Sequence, residues 1–404
     1  MKVDILNTVK YLIFFLFFFY FAQGVFIPSG LFLPKVALAI LLIFEVVFFI
    51  LLINHWKYRI VNGFVLMIIL NVVYYLFSDK TVIVPASNVW MGLTRIDTWT
   101  IIKNTFFNLS FFFPIYYLAF KNKISENEVI KLFYIFFIFA VVGYFYSSKI
   151  IAIEENSDEF TNNAGFAFVS IMPFLFLIKK RSLAIILLFI SIGFIMMSAK
   201  RGAILIAVIF TFYYFYQQYI KNSGKHFVKN LFILIILVLI STSLIYYFYL
   251  SSDYLQLRLE KTIEGDSSKR DVIFSYIWNN YLSPNNNIWE YLFGLGFAAT
   301  IKMGGMFAHN DWLELLAMSG LLGVIIYLTF FLQIYKFYKK DFLSNRDKQI
   351  ITSFLFIWLF KTLFSMGYSD INNIYLVLII AYIVGKNAKL NINNKLKSYE
   401  NCNT

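Results

Sequence analysis

Two arginines, Arg201 and Arg270, are the side chains of this sequence that are best suited to binding an anion. A guanidinium group stays charged at neutral pH and offers a planar fork of donors that can bind two phosphate oxygens at once. Arg201 lies in a short turn between two apolar blocks, where an arginine either pairs with another group or extends its side chain to the lipid headgroups. If Arg201 and Arg270 face one cavity, that cavity is suited to a pyrophosphate.

His309 is the third residue that could do chemistry, because an imidazole changes its charge near neutral pH. A histidine in this place, directly before a predicted helix, is more often structural than catalytic. Asp311 and Glu314 follow it with the spacing of a capping box, and we predict that they start this helix. Ser319 and Gly323, with Gly320 between them, then form a small face, which predicts close packing against a neighbouring helix.

Acidic and metal-binding residues are sparse. Glu45 is the one acid deep inside an apolar block, where it could pair with a lysine or arginine, donate as a neutral acid to a backbone carbonyl, or couple ion movement. The sequence has no Asp-x-Asp pair, and its nearest equivalent is Glu264-x-Asp266. A single cysteine, Cys402, excludes an internal disulfide and a cysteine metal cluster. We therefore expect neither a metal nor another cofactor.

The composition places these residues in a membrane protein. Of the 404 residues, 60% are hydrophobic and only 14% are charged, whereas a soluble domain carries about 25% charged residues. The apolar residues form blocks of roughly 17 to 22 without polar alternation, which predicts transmembrane helices rather than a barrel. We predict an all-α polytopic protein, one integral membrane domain over residues 1–404, with about twelve spans. These spans cover residues 9–27, 36–53, 60–77, 99–120, 129–147, 164–178, 182–197, 202–220, 230–250, 312–335, 350–366 and 371–385.

The distribution of basic residues orients the predicted spans. With twelve spans, one set of connectors and both termini hold 22 of the 35 lysines and arginines, so this set is predicted to be cytoplasmic. The basic tail, residues 386–404, belongs to it. Residues 1–27 could also be a signal peptide, but the long apolar run and the next span favour a retained helix. The net charge of +13 is thus explained by topology and anionic lipids, and no nucleic-acid partner is expected.

Residues 251–311 form one long connector between the ninth and tenth spans, on the predicted outer side. Long connectors of this kind are often functional. Residues 267–271 (Ser-Ser-Lys-Arg-Asp) are polar or charged, and apolar residues follow at helical spacing up to Trp278, which predicts an amphipathic helix on the bilayer surface. Turns are predicted at 283–287, 294–296 and 304–305.

Several short motifs follow one another in a fixed order. They are residues 162–165 (Asn-Asn-Ala-Gly), 198–205 around Arg201, Arg270 with Trp278, 294–296 (Gly-Leu-Gly), 309–316 (His-Asn-Asp-Trp-Leu-Glu-Leu-Leu) and 320–323 (Gly-Leu-Leu-Gly). Together they resemble the O-antigen polymerase and O-antigen ligase superfamily of bacterial envelopes. The resemblance covers the span number, the topology and the large outer loop. Its most specific part is the His-Asn-x-x-Leu pattern that starts the tenth span.

The resemblance implies an inverting, metal-independent glycosyltransferase of the GT-C type in the bacterial inner membrane. Its donor would be an oligosaccharide on undecaprenyl pyrophosphate, with the active site facing the periplasm or exterior. Arg201 and Arg270 would stabilise the pyrophosphate leaving group, and His309 would orient or deprotonate the acceptor hydroxyl. A chain-length regulator or a flippase of the same pathway would be a partner, beside membrane lipid. The further residues implied near the substrate are Lys200, Lys269, Asn163 and Asn310.

Three functions are compatible with this interpretation. A polymerase transfers a glycan onto another lipid-linked repeat unit of an O-antigen, capsule or exopolysaccharide, whereas a ligase transfers it to lipid A core or a protein. The aromatic content of 21% and the many asparagines favour the polymerase. A flippase or secondary transporter would also fit twelve spans, but it should show repeated halves with broken helices. The sequence shows no convincing repeat.

Overall fold

The computed structural model describes residues 4–22, 32–54, 58–79, 81–83, 95–155, 162–221, 227–264, 270–304 and 307–402. It is almost entirely helical. The N-terminal half contains α1 (Ile5–Phe21), α2 (Phe32–Ile53), α3 (Arg59–Leu76), α4 (Thr98–Ser110), α5 (Phe112–Phe120), α6 (Glu126–Glu155), α7 (Ala164–Ile171), α8 (Arg181–Met197) and α9 (Arg201–Phe215). The C-terminal half contains α10 (Phe227–Ser251), α11 (Asp253–Ile263), α12 (Arg270–Tyr281), α13 (Ile288–Phe293), α14 (Ala299–Gly304), α15 (Asp311–Tyr338), α16 (Asn345–Phe364) and α17 (Ile374–Cys402).

Short non-α elements extend or connect these helices. A 3-10 helix, Met172–Leu177, continues α7, and another, Ile371–Asn373, leads into α17. A π-helical turn, Tyr216–Ile220, continues α9. Strands β1 (Thr81–Ile83) and β2 (Arg95–Asp97) form a two-stranded antiparallel ribbon between α3 and α4, with Val82 opposite Ile96. This ribbon is a small exception to the predicted all-α fold.

The helices have the length and composition of a membrane protein. Within the described residues, 7 helices are long and apolar enough to cross a membrane. They are Phe32–Ile53, Arg59–Leu76, Glu126–Ile151, Arg201–Ile220, Phe227–Ser251, Asp311–Tyr338 and Ile371–Lys389. Three further apolar helices, Ile5–Phe21, Ala164–Leu177 and Arg181–Met197, are shorter. The protein is therefore a helical membrane protein, while the number of twelve spans stays a prediction.

One predicted span, residues 99–120, is divided into α4 and α5. Pro114 has no backbone N–H to donate to the carbonyl of Ser110, four residues earlier, so a continuous helix loses a hydrogen bond there. The two helices meet at Phe111, and the Ser110 hydroxyl donates to the backbone carbonyl of Phe106 (2.6 Å). A proline inside an apolar block is the signal in the sequence for this division.

The core is built from aromatic side chains and close backbone contacts. All residues of α5 are buried, and α5 packs along α17. A Cβ atom at Gly385 of α17 would lie 2.4 Å from the carbonyl oxygen of Tyr116. The ring of Phe17 in α1 packs 4.8 Å from that of Phe111, measured between ring centroids. Because lipid is as apolar as these side chains, close packing rather than a hydrophobic driving force holds such helices together.

The segment between α10 and α15 carries four short helices, of which α12 contains the predicted amphipathic helix. Ile273 and Ile277 of α12 are buried in a small separate core with Ala299, Ala308 and Ala317. These two residues therefore pack on α14 and α15, and a place for this helix at the bilayer surface stays a prediction. The helical spacing correctly predicted Ile273 and Ile277 on an apolar face, whereas Val272 and Trp278, predicted on the same face, are exposed. The spacing could not identify the partners of this face, because alanines carry little signal. Residues 267–269, with which the predicted helix begins, lie outside the described residues.

Helix α15 is broken at Gly320, where the backbone has φ 60° and ψ −153°. At this break the carbonyl oxygens of Ala317 and Met318 accept hydrogen bonds from the backbone N–H groups of Leu295 (2.8 Å) and Gly296 (3.0 Å). The predicted turn at 294–296 is therefore present, and it satisfies backbone groups of the interrupted helix. Backbone polar groups inside a membrane protein need such partners.

Two glycines make this contact possible. A Cβ atom at Gly294 would lie 2.4 Å from the backbone nitrogen of Ser319. A Cβ atom at Gly320 would lie 2.6 Å from the backbone nitrogen of Gly294. A Cβ atom at Gly323 would meet the Ser319 hydroxyl of its own helix at 1.8 Å. A Cβ atom at Gly320 would also lie 2.6 Å from the carbonyl oxygen of Leu292 in α13. The predicted close packing against a neighbouring helix is therefore present at Ser319 and Gly320, which approach the end of α13, whereas the nearest contact at Gly323 is within its own helix.

Candidate functional site

A cavity of about 1020 Å³ lies where several helices begin. Arg201 is the first residue of α9, Arg270 is the first residue of α12, and both line the cavity. Asn163 lines it directly before α7, His309 two residues before α15, and Ile371 at the start of the 3-10 helix that leads into α17. Because a helix N-terminus carries partial positive charge and unpaired N–H groups, this arrangement favours an anion.

The residues predicted to bind the substrate divide into two groups. Arg201, Arg270, His309, Lys200 and Asn163 all line this one cavity. Separate helices thus bring together side chains that are more than a hundred residues apart in the sequence. Their roles in chemistry stay predictions.

The two remaining predicted residues, Lys269 and Asn310, are not among the described residues that line the cavity. Lys269 lies outside the described residues. Asn310 is the N-cap of α15, and its side-chain oxygen accepts from the backbone N–H groups of Trp312 (3.0 Å) and Leu313 (3.2 Å). An N-cap side chain satisfies N–H groups that the helix leaves open. Asn310 therefore holds the start of α15, directly after His309.

Arg258 is a further cation at this cavity that the sequence analysis did not select. It lies on α11, where its Nη1 atom donates to the Tyr254 hydroxyl (3.2 Å) and its guanidinium lies 5.7 Å from the centre of the Tyr254 ring. The signal for it was present, because a basic residue on the predicted outer side opposes the topogenic bias, as Arg201 does. With Lys200, Arg201 and Arg270, it gives the cavity four cationic side chains.

Two acidic residues, Asp271 and Asp370, also line the cavity. The charge of Asp370 is balanced by Lys361, which is fully buried and whose Nζ lies 2.6 Å from the Asp370 carboxylate. Lys361 also donates to the side-chain oxygen of Asn373 (2.7 Å). A buried ion pair of this kind needs further hydrogen bonds to offset its desolvation. The lining therefore keeps an excess of positive charge.

The cationic groups act on one another and on His309. The pKa of Arg270 is lowered, first by burial and then by the nearby charges of Arg201 and Arg258. The pKa of His309 is lowered to about 4, first by burial and then by the charges of Arg270 and Lys200. Burial and like charges both disfavour the charged form of an imidazole. At neutral pH His309 is therefore uncharged.

Backbone strain marks two positions beside these side chains. His309 has φ 51° and Ala199, directly before Lys200, also has φ 51°. Residues other than glycine rarely adopt this left-handed conformation, which costs on the order of 1–2 kcal/mol. The surrounding hydrogen bonds must therefore hold both residues in place.

Two buried carboxylates secure the backbone around His309. Glu314 is buried and accepts from the Thr300 hydroxyl (2.6 Å) and from the backbone N–H of Ala308. Asp311 is fully buried. It accepts hydrogen bonds from the backbone N–H of Gly367 (2.8 Å) and from the Tyr327 hydroxyl (2.5 Å). The predicted capping box is therefore wrong, because these carboxylates connect α14, α15 and the 365–370 segment instead of capping α15.

The neighbouring asparagine, Asn162, secures the turn that carries Arg201. Its side chain is buried, donates to the hydroxyls of Ser147 (2.8 Å) and Ser148 (2.9 Å) and accepts from the backbone N–H of Ala164 (2.9 Å). Its backbone N–H donates to the carbonyl of Ser198 (2.9 Å). Asn162 thus connects α6, α7 and the turn between α8 and α9, while the adjacent Asn163 faces the cavity.

Glu45 is separate from this site. It is buried in α2, and one carboxylate oxygen accepts from the Ser110 hydroxyl of α4 (2.5 Å). Among the described residues its other oxygen has no hydrogen-bond partner, and no lysine or arginine forms an ion pair with it. Within the described part of the chain, Glu45 therefore interacts with a serine hydroxyl and does not form the ion pair that was one of its predicted interactions.

No protein-family model matches this chain, and no curated protein sequence matches it significantly. Within the described part of the chain, no three His, Cys, Asp or Glu side chains are grouped so that they could hold a metal ion.

Proposed function

We propose that this protein is a glycosyltransferase that uses a sugar attached to a lipid pyrophosphate, as in the O-antigen polymerase and ligase superfamily. The observation that carries the proposal is that Arg201, Arg270 and His309 line one cavity although they come from separate segments. The cationic lining suits a pyrophosphate, and the neutral imidazole suits a hydroxyl acceptor. Under this proposal the cavity faces the periplasm or exterior, and the fold is GT-C-like with twelve spans.

The proposed reaction is one inverting displacement at the anomeric carbon of the donor sugar. The acceptor hydroxyl oxygen forms the new bond to this carbon while the bond to the pyrophosphate oxygen breaks with its electron pair. Arg201 and Arg270 stabilise the negative charge that develops on the pyrophosphate, and they do so more in the transition state than in the bound donor. The leaving group is the undecaprenyl pyrophosphate anion.

His309 accepts the proton of the acceptor hydroxyl in this proposal. Burial lowers the pKa of His309 first, and the charges of Arg270 and Lys200 lower it further. A bound pyrophosphate offsets these positive charges, so the pKa of His309 rises when the donor binds. A base is most effective when its pKa lies near the operating pH. Donor binding would thus make His309 a more effective base.

A narrow apolar groove beside the cavity supports a lipid donor. The groove, of about 150 Å³, lies among α8, α9 and α10, and it shares Ile204 and Val208 with the cationic cavity. Its other lining residues are mostly aliphatic or aromatic. A polyprenyl chain could occupy the groove while its pyrophosphate lies in the cavity. Of the two related functions we propose polymerisation, because the aromatic, asparagine-rich composition favours it, and we keep the ligase as the alternative.

The break in α15 is the observation that would favour a transporter, because transporters bind ions at broken helices. Here the carbonyl oxygens of Ala317 and Met318 at the break accept from the backbone of the 294–296 turn. They are therefore already satisfied by protein, and the break does not support an ion site. We keep the transporter as an outcome of the test and not as the proposal.

The test uses purified protein in liposomes with a lipid-pyrophosphate-linked repeat unit, with and without lipid A core, and a glycan gel. A ladder from repeat units alone supports the polymerase, and transfer only after core is added supports the ligase. His309→Ala should abolish either product. Lys302→Ala is the matched control, because Lys302 lies outside the cavity and pairs with Asp79 (3.1 Å). Absence of transfer with every acceptor would contradict the proposal and favour a transporter.

A further inference from the structure

A second cavity, of about 560 Å³, lies among the 3-10 helix after α7, the start of α8, the π-helical turn, and the starts of α10 and α16. Four of its lining residues are basic: Lys179, Arg181, Lys229 and Arg346. None of its described lining residues is acidic. It shares no residue with the cavity at Arg201. The resulting concentration of positive charge needs an explanation of its own.

Two helices place the second cavity at the opposite end of the bundle. Arg201 lines the first cavity, whereas Gln217, in the π-helical turn that continues α9, lines the second. In α16, Phe364 lines the first cavity and Arg346 lines the second. At 1.5 Å per residue these pairs are roughly 24 and 27 Å apart along the helices. This is close to the thickness of the hydrocarbon layer, so the second cavity lies at the other membrane boundary.

The floor of the second cavity is polar and ordered by hydrogen bonds. The side-chain amide of Gln349 donates to the side-chain oxygen of Gln217 (3.2 Å), and both residues are buried. Gln217 belongs to the π-helical turn, a local widening that often accompanies a functional site. Arg346 is held by Glu126 of α6 (2.6 Å). The cavity therefore combines a fixed polar base with basic side chains at its rim.

We propose that this second cavity binds a phosphate group, supplied by an anionic phospholipid of the adjacent leaflet. Lys179, Arg181 and Lys229 are exposed at the mouth, where they can reach a phosphate diester without being desolvated first. Basic pockets between transmembrane helices are suited to such headgroups, and each basic residue contributes to the attraction. Inorganic phosphate offers the same chemistry from a soluble source. The proposal does not depend on glycosyl transfer.

The test compares two double variants of the full chain after removal of bound lipid in detergent. Arg181→Gln with Lys229→Gln removes two charges from the cavity. Lys336→Gln with Lys340→Gln removes two exposed charges at the end of α15 that lie outside it. Native mass spectrometry counts bound phosphatidylglycerol, with phosphatidylcholine as the neutral reference. We expect the cavity variant to bind phosphatidylglycerol about tenfold more weakly than wild type, because it loses two basic contacts, and the control to stay within about twofold.

A separate titration with inorganic phosphate, which competes with phosphatidylglycerol, identifies the source of the phosphate group. Competition that the cavity variant loses supports a phosphate site open to soluble anions, and lipid binding without competition supports a lipid site. Equal phosphatidylglycerol binding by both double variants would overturn the proposal. If the double substitution lowers the unfolding temperature, Lys179→Gln alone is tested in its place. It should weaken phosphatidylglycerol binding in the same direction.

Discussion

At His309, burial and the positive charges of Arg270 and Lys200 act on one imidazole in the same direction. The left-handed backbone of this residue is fixed by Asn310 and by the carboxylates of Asp311 and Glu314 on the following turn. The sequence predicted His309, Arg201 and Arg270 because basic groups on the outer side of a membrane protein are few. It could not predict the roles of Asp311 and Glu314, because their spacing is also that of a capping box.

The low pKa of His309 makes stability depend on pH. An unfolded chain, with an ordinary histidine pKa near 6.5, binds this proton more readily than the folded protein with a pKa of about 4. The contribution of neutral His309 to stability is therefore fully present above about pH 6.5 and is lost as the pH falls toward about 4. We expect the unfolding temperature of wild type to fall more steeply over this interval than that of His309→Gln. Parallel curves for the two proteins would contradict this assignment.

Arg270 is expected to lower stability while it supports function. Its charge lies near those of Arg201 and Arg258, so Arg270→Gln should relieve repulsion and raise the unfolding temperature. The same substitution should slow transfer by at least about 100-fold, because it removes a charge from the leaving-group site. Thermal unfolding and the liposome assay measure the two effects. A variant that loses stability and keeps its transfer rate would contradict this prediction.

At the scale of elements, the helices follow from the sequence more closely than their contacts do. Apolar blocks between charge clusters predicted α2, α3 and α10 within a few residues, because length and hydropathy are local properties. The break at Gly320 and the packing of α12 were not predictable in this way. Each depends on a distant partner, the 294–296 turn for the break and the alanines of α14 and α15 for the packing.

The contact at Gly320 gives a graded prediction for three glycine substitutions. Gly320 has a positive φ, and Gly320→Ala would place a Cβ atom 2.6 Å from the backbone nitrogen of Gly294. The substitution should therefore destabilise by more than about 2 kcal/mol. Gly296→Ala has a positive φ but open space, and should cost about 1–2 kcal/mol. Gly143→Ala has neither and should be neutral or stabilising. Unfolding temperatures in one detergent measure the order, and equal values for the first two would contradict it.

At the scale of the whole molecule, two cationic cavities lie at opposite ends of one helical bundle. The charge count along the sequence predicted which connectors share a side, because topogenic lysines and arginines are distributed over the whole chain. It could not predict that basic residues would converge into cavities, since convergence depends on how α9, α12 and α15 are packed. The predicted orientation places the Arg201 cavity outside and the Lys179 cavity in the cytoplasm.

The single cysteine allows this orientation to be measured without introducing another cysteine. Cys402 lies in the tail that is predicted to be cytoplasmic. A membrane-impermeant maleimide should therefore leave Cys402 unlabelled in intact cells and label it after permeabilisation. Cys402→Ser is the control for background labelling. Equal labelling of wild type before and after permeabilisation would contradict a cytoplasmic C-terminus.

The most direct measurement compares the transfer rates of Arg201→Gln, Arg270→Gln, His309→Gln and the triple variant in the liposome assay. If the three side chains act in one site, each single substitution should slow transfer by at least about 100-fold. The triple variant should then be little slower than the slowest single variant, because residues that act as a unit are not additive. Transfer at the wild-type rate by the triple variant would contradict the account.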